Sequence, residues 1–347
     1  MPLDEPGWWY RSGPAPAVVR CLRSVSAVYA WAVERRFRKT KPYRSALPVI
    51  CIGNLTAGGT GKTPFAIHVA DTLTTLGERP ALLTRGYGGR IRGPHWVDAE
   101  KDTAADVGDE PLLLARAAPT FVSRDRAAGA RAIEVAGSAT VIVMDDGLQN
   151  PSLVKDLAIA LVDARRGIGN GEVLPAGPLR ARLKFQLEMV DAIVVNRPPG
   201  AARDGDLNRL EAFAGPVLSA APEPQGDLDW IKGARLVAYA GIANPQRFFA
   251  LLEELGGKLV ETVQLGDHHV FSEKDAGHIL DLAASQGAIA VTTEKDFVRL
   301  RGGERPVSEL AARSRTLAIR VRLSEPDAER LHALLSSALM RSRRCNR

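Results

Sequence analysis

Lys62 and Thr63 end a glycine-bearing loop, Thr56-Ala57-Gly58-Gly59-Thr60-Gly61, that follows an apolar run at residues 47–52. Glycines let successive backbone N–H groups approach phosphate oxygens, a Lys reaches the β/γ-phosphates, and a Thr hydroxyl ligates a metal bound to them. The combination reads as a phosphate-binding loop (P-loop). It is a variant one, because Thr56 stands five positions before Gly61, where a glycine is usual, and Gly58 and Gly59 supply the flexibility instead. Asp145 and Asp146 follow a second apolar run at 139–144, where carboxylates at a strand end can hold a metal, or its water, beside the phosphates. The alternative is an acidic helix cap or a turn, which the following Gly147 would also suit. Asp109 and Glu110 precede a helix-like stretch and either cap its N-terminus or accept the proton of an attacking hydroxyl. Asp267-His268-His269 makes a poor metal site, since adjacent side chains on extended backbone point apart. One of the two His can orient a catalytic carboxylate across a cleft, or both can be surface or capping residues. Arg85-Gly-Tyr87-Gly-Gly-Arg90, with Arg124 and Arg126 after the next apolar run, offers guanidinium groups to a phosphate-bearing molecule or simply solvated loop charge. Gly167-Ile-Gly-Asn170-Gly171 and Leu174-Pro-Ala-Gly-Pro-Leu-Arg180 form loops of defined shape that line a pocket or turn the chain.

Elements of a particular kind must hold these residues. Short β-branched runs at 81–84, 120–122, 140–144, 157–162 and 192–195 alternate with helix-like segments, the pattern of a parallel sheet wrapped by helices. The strand–loop–helix context around Lys62 is the one a P-loop requires. A Pro/Gly/Ala-rich stretch at 197–233 interrupts the alternation and reads as a domain connection, after which runs at 236–240, 288–292 and 316–321 and a helix at 246–255 suggest a smaller α/β unit. The expected fold class is α/β, a P-loop NTPase-like parallel sheet flanked by helices, with a second, smaller α/β domain and an N-terminal amphipathic helix. The expected boundaries are 1–45 for the helix and a basic run, 46–230 for the P-loop core and 231–347 for the smaller domain.

The 347 residues carry a formal charge of +6, which favours an anionic partner: nucleotide, nucleic acid or an acidic membrane surface. Cys21, Cys51 and Cys345 show no paired spacing, so neither a disulfide framework nor a zinc site is expected, and a reducing cytoplasm suits the chain. There is no run of about 18 apolar residues to form a membrane-spanning helix, and no signal-peptide pattern opens the sequence. A helix expected from Pro16 to about Phe37 places Val18, Cys21, Leu22, Val25, Val28, Tyr29, Ala32 and Val33 on one face. Trp8, Trp9 and Tyr10 precede it; Arg35, Arg36, Arg38, Lys39, Lys41 and Arg44 end or follow it. Such a helix either lies in the interface of an anionic membrane or packs on its own domain with a solvated basic tail. No recognised nucleic-acid module accompanies the basic run, so nucleic acid is not an expected partner.

Taken in order, Gly53-Asn-Leu-Thr-Ala-Gly-Gly-Thr-Gly-Lys-Thr-Pro64, Arg85-Gly-Tyr-Gly88, Gly108-Asp-Glu-Pro111, Asp145-Asp-Gly-Leu-Gln149, Leu174-Pro-Ala-Gly-Pro-Leu-Arg180, Asp267-His-His269 and Thr293-Glu-Lys-Asp296 closely resemble the tetraacyldisaccharide 4'-kinase family of lipid A biosynthesis. The resemblance runs from the N-terminal helix through Asp296 and includes the Thr at position 56. It implies transfer of the ATP γ-phosphate, with Mg²⁺, to the 4'-hydroxyl of a tetraacylated glucosamine disaccharide 1-phosphate at the cytoplasmic face of the inner membrane, the protein being peripheral. By the same resemblance Thr56 to Thr63 hold the nucleotide phosphates, Asp109 is the catalytic carboxylate with His268 its partner, and Thr63, Glu110, Asp145 and Asp146 serve Mg²⁺ or its waters. Arg85, Tyr87, Arg124, Arg126 and Asn170 match positions that face the disaccharide phosphate. The family commonly has His where this chain has Asn150, so no proton-transfer role is assigned there. No obligatory protein partner is implied.

Two other classes share parts of the pattern. A membrane-attached P-loop ATPase switch acting on a protein partner would explain the loop, the acids and the amphipathic helix, yet leaves Asp109, Glu110, His268 and the Arg85–Arg90 loop without a task. A GTP-dependent metallochaperone would need a Cys/His metal motif and a guanine signature, and neither is found.

Overall fold

The computed structural model describes residues 5–10, 17–197 and 207–345. Pro16 and the Pro198-Pro199-Gly200 part of the expected connection lie outside the described residues. In chain order the elements are α1 (Ala17–Lys39), β1 (Val49–Asn54), α2 (Lys62–Thr75), β2 (Pro80–Thr84), β3 (His95–Trp96), α3 (Ala104–Val107), α4 (Asp109–Ala115), β4 (Thr120–Val122), α5 (Arg126–Ala136), β5 (Val141–Asp145), β6 (Leu157–Asp163), α6 (Leu183–Leu187) and β7 (Ala192–Asn196). They continue with β8 (Val217–Gln225), β9 (Arg235–Ala240), α7 (Pro245–Glu254), β10 (Lys258–Gln264), α8 (Glu273–Ser285), β11 (Ile289–Thr293), α9 (Glu294–Leu300), α10 (Val307–Arg313), β12 (Ser314–Leu323) and α11 (Glu325–Cys345).

The strands form one sheet in the order β10-β9-β11-β12-β8-β7-β6-β1-β5-β2-β4-β3. From β8 to β4 neighbours run parallel, with β1 between β5 and β6. β9, β10, β11 and β12 form a second parallel set. The two sets are joined by the antiparallel pair β8 and β12. Register decides how they face each other. β8 pairs β7 through residues 217–220 and β12 through 220–225, while β12 pairs β11 through 314–317 and β8 through 318–323. The second set is therefore displaced lengthwise beyond the first and runs the opposite way, so the carboxyl ends of β9 and β11 point toward the carboxyl ends of β1 and β5. Loops leaving those ends meet, and open α/β sheets bind ligands at such ends.

Alternation along β1 sends Ile50 and Ile52 to one face of the sheet and Val49 and Cys51 to the other. The first pair packs with Phe65, Val69 and Leu73 of α2 and with Leu331, Leu335 and Leu339 of α11, so the last helix returns to cover the P-loop half of the sheet. The second pair packs with Ala130 and Ile133 of α5 and Ala30 of α1. Burial on both faces is why these strands read as continuous apolar runs. Leu73 and Leu335 are fully buried, and truncating either to Ala would cost about 2–5 kcal/mol.

Helix α1 docks through a narrow stripe of Val19, Ser26 and Ala30. Ser26 Oγ accepts the Ala176 N–H at 3.0 Å, Arg182 pairs with Glu34 at 2.8 Å, and the Phe37 and Phe185 rings meet edge-on. Of the apolar face expected from periodicity, Val18, Cys21, Val25, Val28, Tyr29 and Ala32 are exposed, as is Trp31. The helix thus packs on its small residues and turns its larger apolar ones outward. Among the described residues no helix is long and apolar enough to cross a membrane.

Candidate active site

The first wall of the site is the loop between β1 and α2. Gly61 adopts φ 88°, and a Cβ there would lie 2.7 Å from Asn196 Nδ2, so the left-handed turn and the close approach both require glycine. Asn196 Nδ2 donates to the Thr60 carbonyl at 2.9 Å, Thr60 Oγ1 donates to Asn54 Oδ1, and Asn54 Nδ2 donates to the Gly58 carbonyl at 3.1 Å. The carboxyl ends of β1 and β7 thereby shape the loop. Thr56 is buried in extended backbone, bridged antiparallel to Leu179, and the Ala57 N–H donates to the Pro178 carbonyl at 2.8 Å. An extended, paired residue has no need of a glycine's freedom, which accounts for Thr at this position. Gly59 lines the same turn, and Lys62 and Thr63 open α2 without a side-chain cap, leaving first-turn N–H groups available to an anion.

Two adjacent carboxylates face this loop in opposite states. Asp146 Oδ1 accepts from Arg180 Nη1 at 2.6 Å and lies 3.7 Å from Lys62 Nζ. Burial would raise its pKa, but Lys62 and Arg180 outweigh that and hold it below the usual carboxylate range. Asp145 is fully buried at the end of β5; Thr84 Oγ1 lies 3.5 Å from its Oδ2, and its Oδ1 has no partner. Burial first, and then the negative charge of Glu110, push this carboxyl well above its ordinary range. A buried acceptor without a partner beside a phosphate loop calls for a cation or its water. Among the described residues no three His, Cys, Asp or Glu side chains converge into a metal cage. A hard dication that keeps waters and phosphate oxygens in its shell needs only one or two protein carboxylates.

The second wall comes from α4 and from the β10–α8 loop and α9. Gly108, with φ 94°, turns the chain so that Asp109 begins α4; the Asp109 Oδ1 accepts the Glu110 N–H at 2.9 Å. Asp109 is 4% exposed, and its Oδ2 lies 3.1 Å from His268 Nδ1. Arg299 donates to the same oxygen through Nε at 2.9 Å and through Nη2. Lys295 Nζ sits 3.9 Å from it, 3.8 Å from Glu110 Oε1 and 3.4 Å from His268 Nε2. Burial pushes Asp109 up, yet the His268 hydrogen bond, Lys295 and Arg299 together hold it well below the usual carboxylate range. His268 has φ 57°, uncommon for a residue with a side chain, and Asp267 Oδ1 accepts its backbone N–H at 3.1 Å. His269 points elsewhere: its Nε2 lies 2.9 Å from Asp275 Oδ2 at the start of α8. It is His268, not His269, whose ring contacts Asp109.

The remaining expected residues divide. Tyr87 is 64% exposed with its ring 5.6 Å from that of His268, and Arg85 and Arg124 are exposed on neighbouring strand ends. The Arg85 loop sits tightly on the turn before α4, since a Cβ on Gly89 would lie 2.5 Å from the Val107 carbonyl carbon. Arg126 is not with them. It is 2% exposed, donating to the Ser123 carbonyl and, at 3.3 Å, to that of Asp145, so it braces β5 from behind and cannot face a ligand as placed. Asn170 Nδ2 donates to the Ala176 carbonyl at 3.0 Å and its N–H to the Trp9 carbonyl at 2.7 Å, holding the loop beside the N-terminal segment. Asn150 accepts from Ser152 at 2.8 Å in a local turn, away from proton transfer.

Arg180, Lys295 and Arg299 join the site without a role that the sequence assigns. Arg180 ends the Leu174–Arg180 motif and Lys295 lies inside Thr293-Glu-Lys-Asp296, so both were within reach of motif reading. Arg299 offered one signal, its spacing three residues after Asp296 on a helix.

The family model described as tetraacyldisaccharide-1-P 4'-kinase matches residues 18–340. Similar proteins named tetraacyldisaccharide 4'-kinase include one from Parvibaculum lavamentivorans, 45% identical over 346 residues with 99% of this chain and all of that one covered. Another, from Methylobacterium nodulans, is 46% identical over 340 residues with 96% of each covered. Among solved structures, LpxK from Aquifex aeolicus, crystallised in an "apo" form in complex with ATP, superposes with a TM-score of 0.72 at 27% identity, covering 93% of this chain and 99% of that one.

Proposed function

The chain belongs to the tetraacyldisaccharide-1-P 4'-kinase family, and on that premise we propose that it transfers the γ-phosphate of ATP to the 4'-hydroxyl of a tetraacylated glucosamine disaccharide 1-phosphate. The observation that carries the reading is the meeting of Asp109 with His268, 159 residues apart in sequence, at a cleft whose other wall is the P-loop. A P-loop alone suits a switch as well as a kinase; a paired carboxylate and imidazole at its mouth suit a hydroxyl acceptor.

In this mechanism residues 56–63 wrap the nucleotide phosphates. Lys62, held beside Asp146 at 3.7 Å, turns to the β/γ-phosphates, while Arg180 keeps Asp146 paired. The unpartnered Asp145 Oδ1 and the Thr63 hydroxyl, with Glu110 and Asp146 directly or through water, would hold Mg²⁺, which would supply charge neutralisation to the phosphates. Asp109 with His268 takes the proton of the attacking 4'-hydroxyl, the ring being held at 3.1 Å. Arg85, Tyr87 and Arg124 face the acceptor's 1-phosphate, with Asn170 shaping the loop opposite; Arg126 is left out because it is buried behind Asp145. Residues 46–230 supply the P-loop and Asp109, residues 231–347 supply His268, and closing the two parts on the nucleotide excludes water that would hydrolyse ATP.

An acylated acceptor is met at a bilayer. The outward Val25, Val28, Tyr29 and Trp31 of α1, with the basic run ending at Arg44, support peripheral attachment to the anionic cytoplasmic face of the inner membrane. Neither nucleic acid nor an obligatory protein partner enters this reading.

The test is label transfer from γ-labelled ATP to the detergent-dispersed disaccharide 1-phosphate. Labelled lipid is expected; ATP consumption without labelled lipid would favour the ATPase switch. For the membrane part, replacing Val25, Val28 and Trp31 together by Ser should cut sedimentation with vesicles of anionic phospholipid while leaving the melting temperature within a few degrees. Unchanged sedimentation would remove α1 from the attachment.

A further inference from the structure

Arg299 lies on α9, its side chain 5% exposed, between two carboxylates that are 4% and 0% exposed, Asp109 and Asp296. Its Nε and Nη2 converge on one oxygen of Asp109, Oδ2, the oxygen that faces His268. Its Nη1 donates to Asp296 Oδ1 at 2.8 Å and to the Gly241 carbonyl at 2.7 Å. That same carbonyl accepts the backbone N–H of His268 at 3.2 Å. Asp296 in turn accepts the Gly241 N–H at 3.0 Å and the Thr293 hydroxyl at 2.7 Å. A Cβ on Gly241 would come within 3.1 Å of Asp296 Oδ1, so the turn after β9 is tightly seated on this cluster.

Resting on the kinase reading above, we propose that Arg299 is a positioning residue for phosphoryl transfer. It sets Asp109 Oδ2 directly and the His268 backbone through their shared Gly241 anchor, so that one guanidinium fixes the separation of the pair. A planar fork suits this task, because its three nitrogens reach three acceptor oxygens without rotation. Lys295 approaches the same oxygen only as a point charge at 3.9 Å and cannot hold a direction. Arg299 is also where α9 meets α4, so the contact joins the two parallel strand sets at the place of chemistry. A displacement of about 1 Å in a reacting group lowers rates by about a hundredfold, so loss of this clamp should be visible in turnover.

The experiment compares wild type, R299K, R299Q, D109A and the D109A/R299Q double variant in full-length protein, measuring kcat, KM for each substrate and ATP affinity by direct titration. R299Q is expected to lose roughly tenfold to a hundredfold in kcat with ATP affinity and both KM values within about threefold, and R299K, which keeps charge without the fork, to recover only part of that loss. In the D109A background R299Q should cost little further, because the group it positions is gone. The inference is overturned if R299Q keeps wild-type kcat, if R299K restores it fully, or if the two losses multiply in the double variant. Should R299Q not fold, R299K carries the test alone: a kcat equal to wild type at equal melting temperature overturns the inference. A wild type that labels no lipid would sink the function and this inference together, whereas an active wild type beside an equally active R299Q sinks the inference only.

Discussion

The two walls of the cleft each bury a carboxylate, and they treat it in opposite ways. Asp145, on the P-loop wall, keeps one oxygen without a partner and is driven toward protonation by burial and by Glu110. Asp109, on the facing wall, has one oxygen on a backbone N–H and the other shared among Arg299, His268 and, more distantly, Lys295, which together hold it ionised despite burial. Burial alone therefore does not say what a carboxylate is for. An unsatisfied one is a socket, stabilised only when a cation arrives; a fully satisfied one is an instrument already set in position. The P-loop wall waits for its ligand, and the Asp109 wall is organised without one.

The largest expected effect that can break this contrast is catalytic. Asp109→Ala should lower kcat by about a hundredfold or more with nucleotide affinity nearly unchanged, since general base assistance contributes about 10²–10⁴-fold. Asp145→Asn should also lower activity, but through the nucleotide, so that affinity for metal-bound ATP falls while affinity for metal-free ATP does not. If both variants lose nucleotide affinity equally, the two carboxylates are not doing different work. Direct titration of ATP with and without Mg²⁺ decides it.

A smaller effect sharpens the contrast in stability. Asp109→Ala leaves the Arg299 guanidinium, 5% exposed, with Asp296 as its remaining carboxylate and its Nε and Nη2 without their acceptor, and breaking a buried pair in this way costs up to about 3–5 kcal/mol. Asp145→Asn removes a buried acid whose burial outweighs the nearby Lys62 and Arg126 charges, so it should stabilise the nucleotide-free protein. Chemical denaturation of both would expose a mistake in either assignment. Two destabilised variants would mean that Asp145 has a partner in solution.

Some of this was legible in the sequence and some was not. The P-loop, Asp145 and Asp146 declare themselves because each belongs to a contiguous strand-and-loop segment, where residue type and spacing carry the chemistry. Even the odd Thr56 was readable as a variant, although its reason, pairing with Leu179, lies 123 residues away. The clamp on Asp109 was not readable. Arg299 meets it across 190 residues, and no period in the chain encodes which helix end the second strand set will bring to α4. Arg126 shows the converse, since an arginine after a strand reads as facing a phosphate or solvent, whereas the fold buries it under Asp145. For α1, periodicity identified the apolar face but not the direction it would turn; small Ser26 and Ala30 allow close docking and leave the larger side chains outside.

The smallest effect is the pH dependence of that stability difference, and its sign follows from the direction of each shift. Asp145 has a folded pKa raised above its unfolded value of ~3.9, so the unfolded chain releases this proton more readily. Stability associated with Asp145 is therefore fully present at low pH and lost as pH rises past the ordinary carboxylate range toward the folded value. For Asp109 the folded pKa is depressed, so its contribution is present above the ordinary range and lost as pH falls below it. The melting temperature of Asp145→Asn should then exceed that of wild type by a few degrees at pH 8 and converge on it near pH 4. Saturating ATP with Mg²⁺ should shrink the gap at pH 8, because the cation compensates the wild-type carboxylate and has less to hold in the variant. A gap independent of pH would mean that the Asn gains by packing alone, and Asp145 would no longer be the waiting socket that sets the P-loop wall apart from its neighbour.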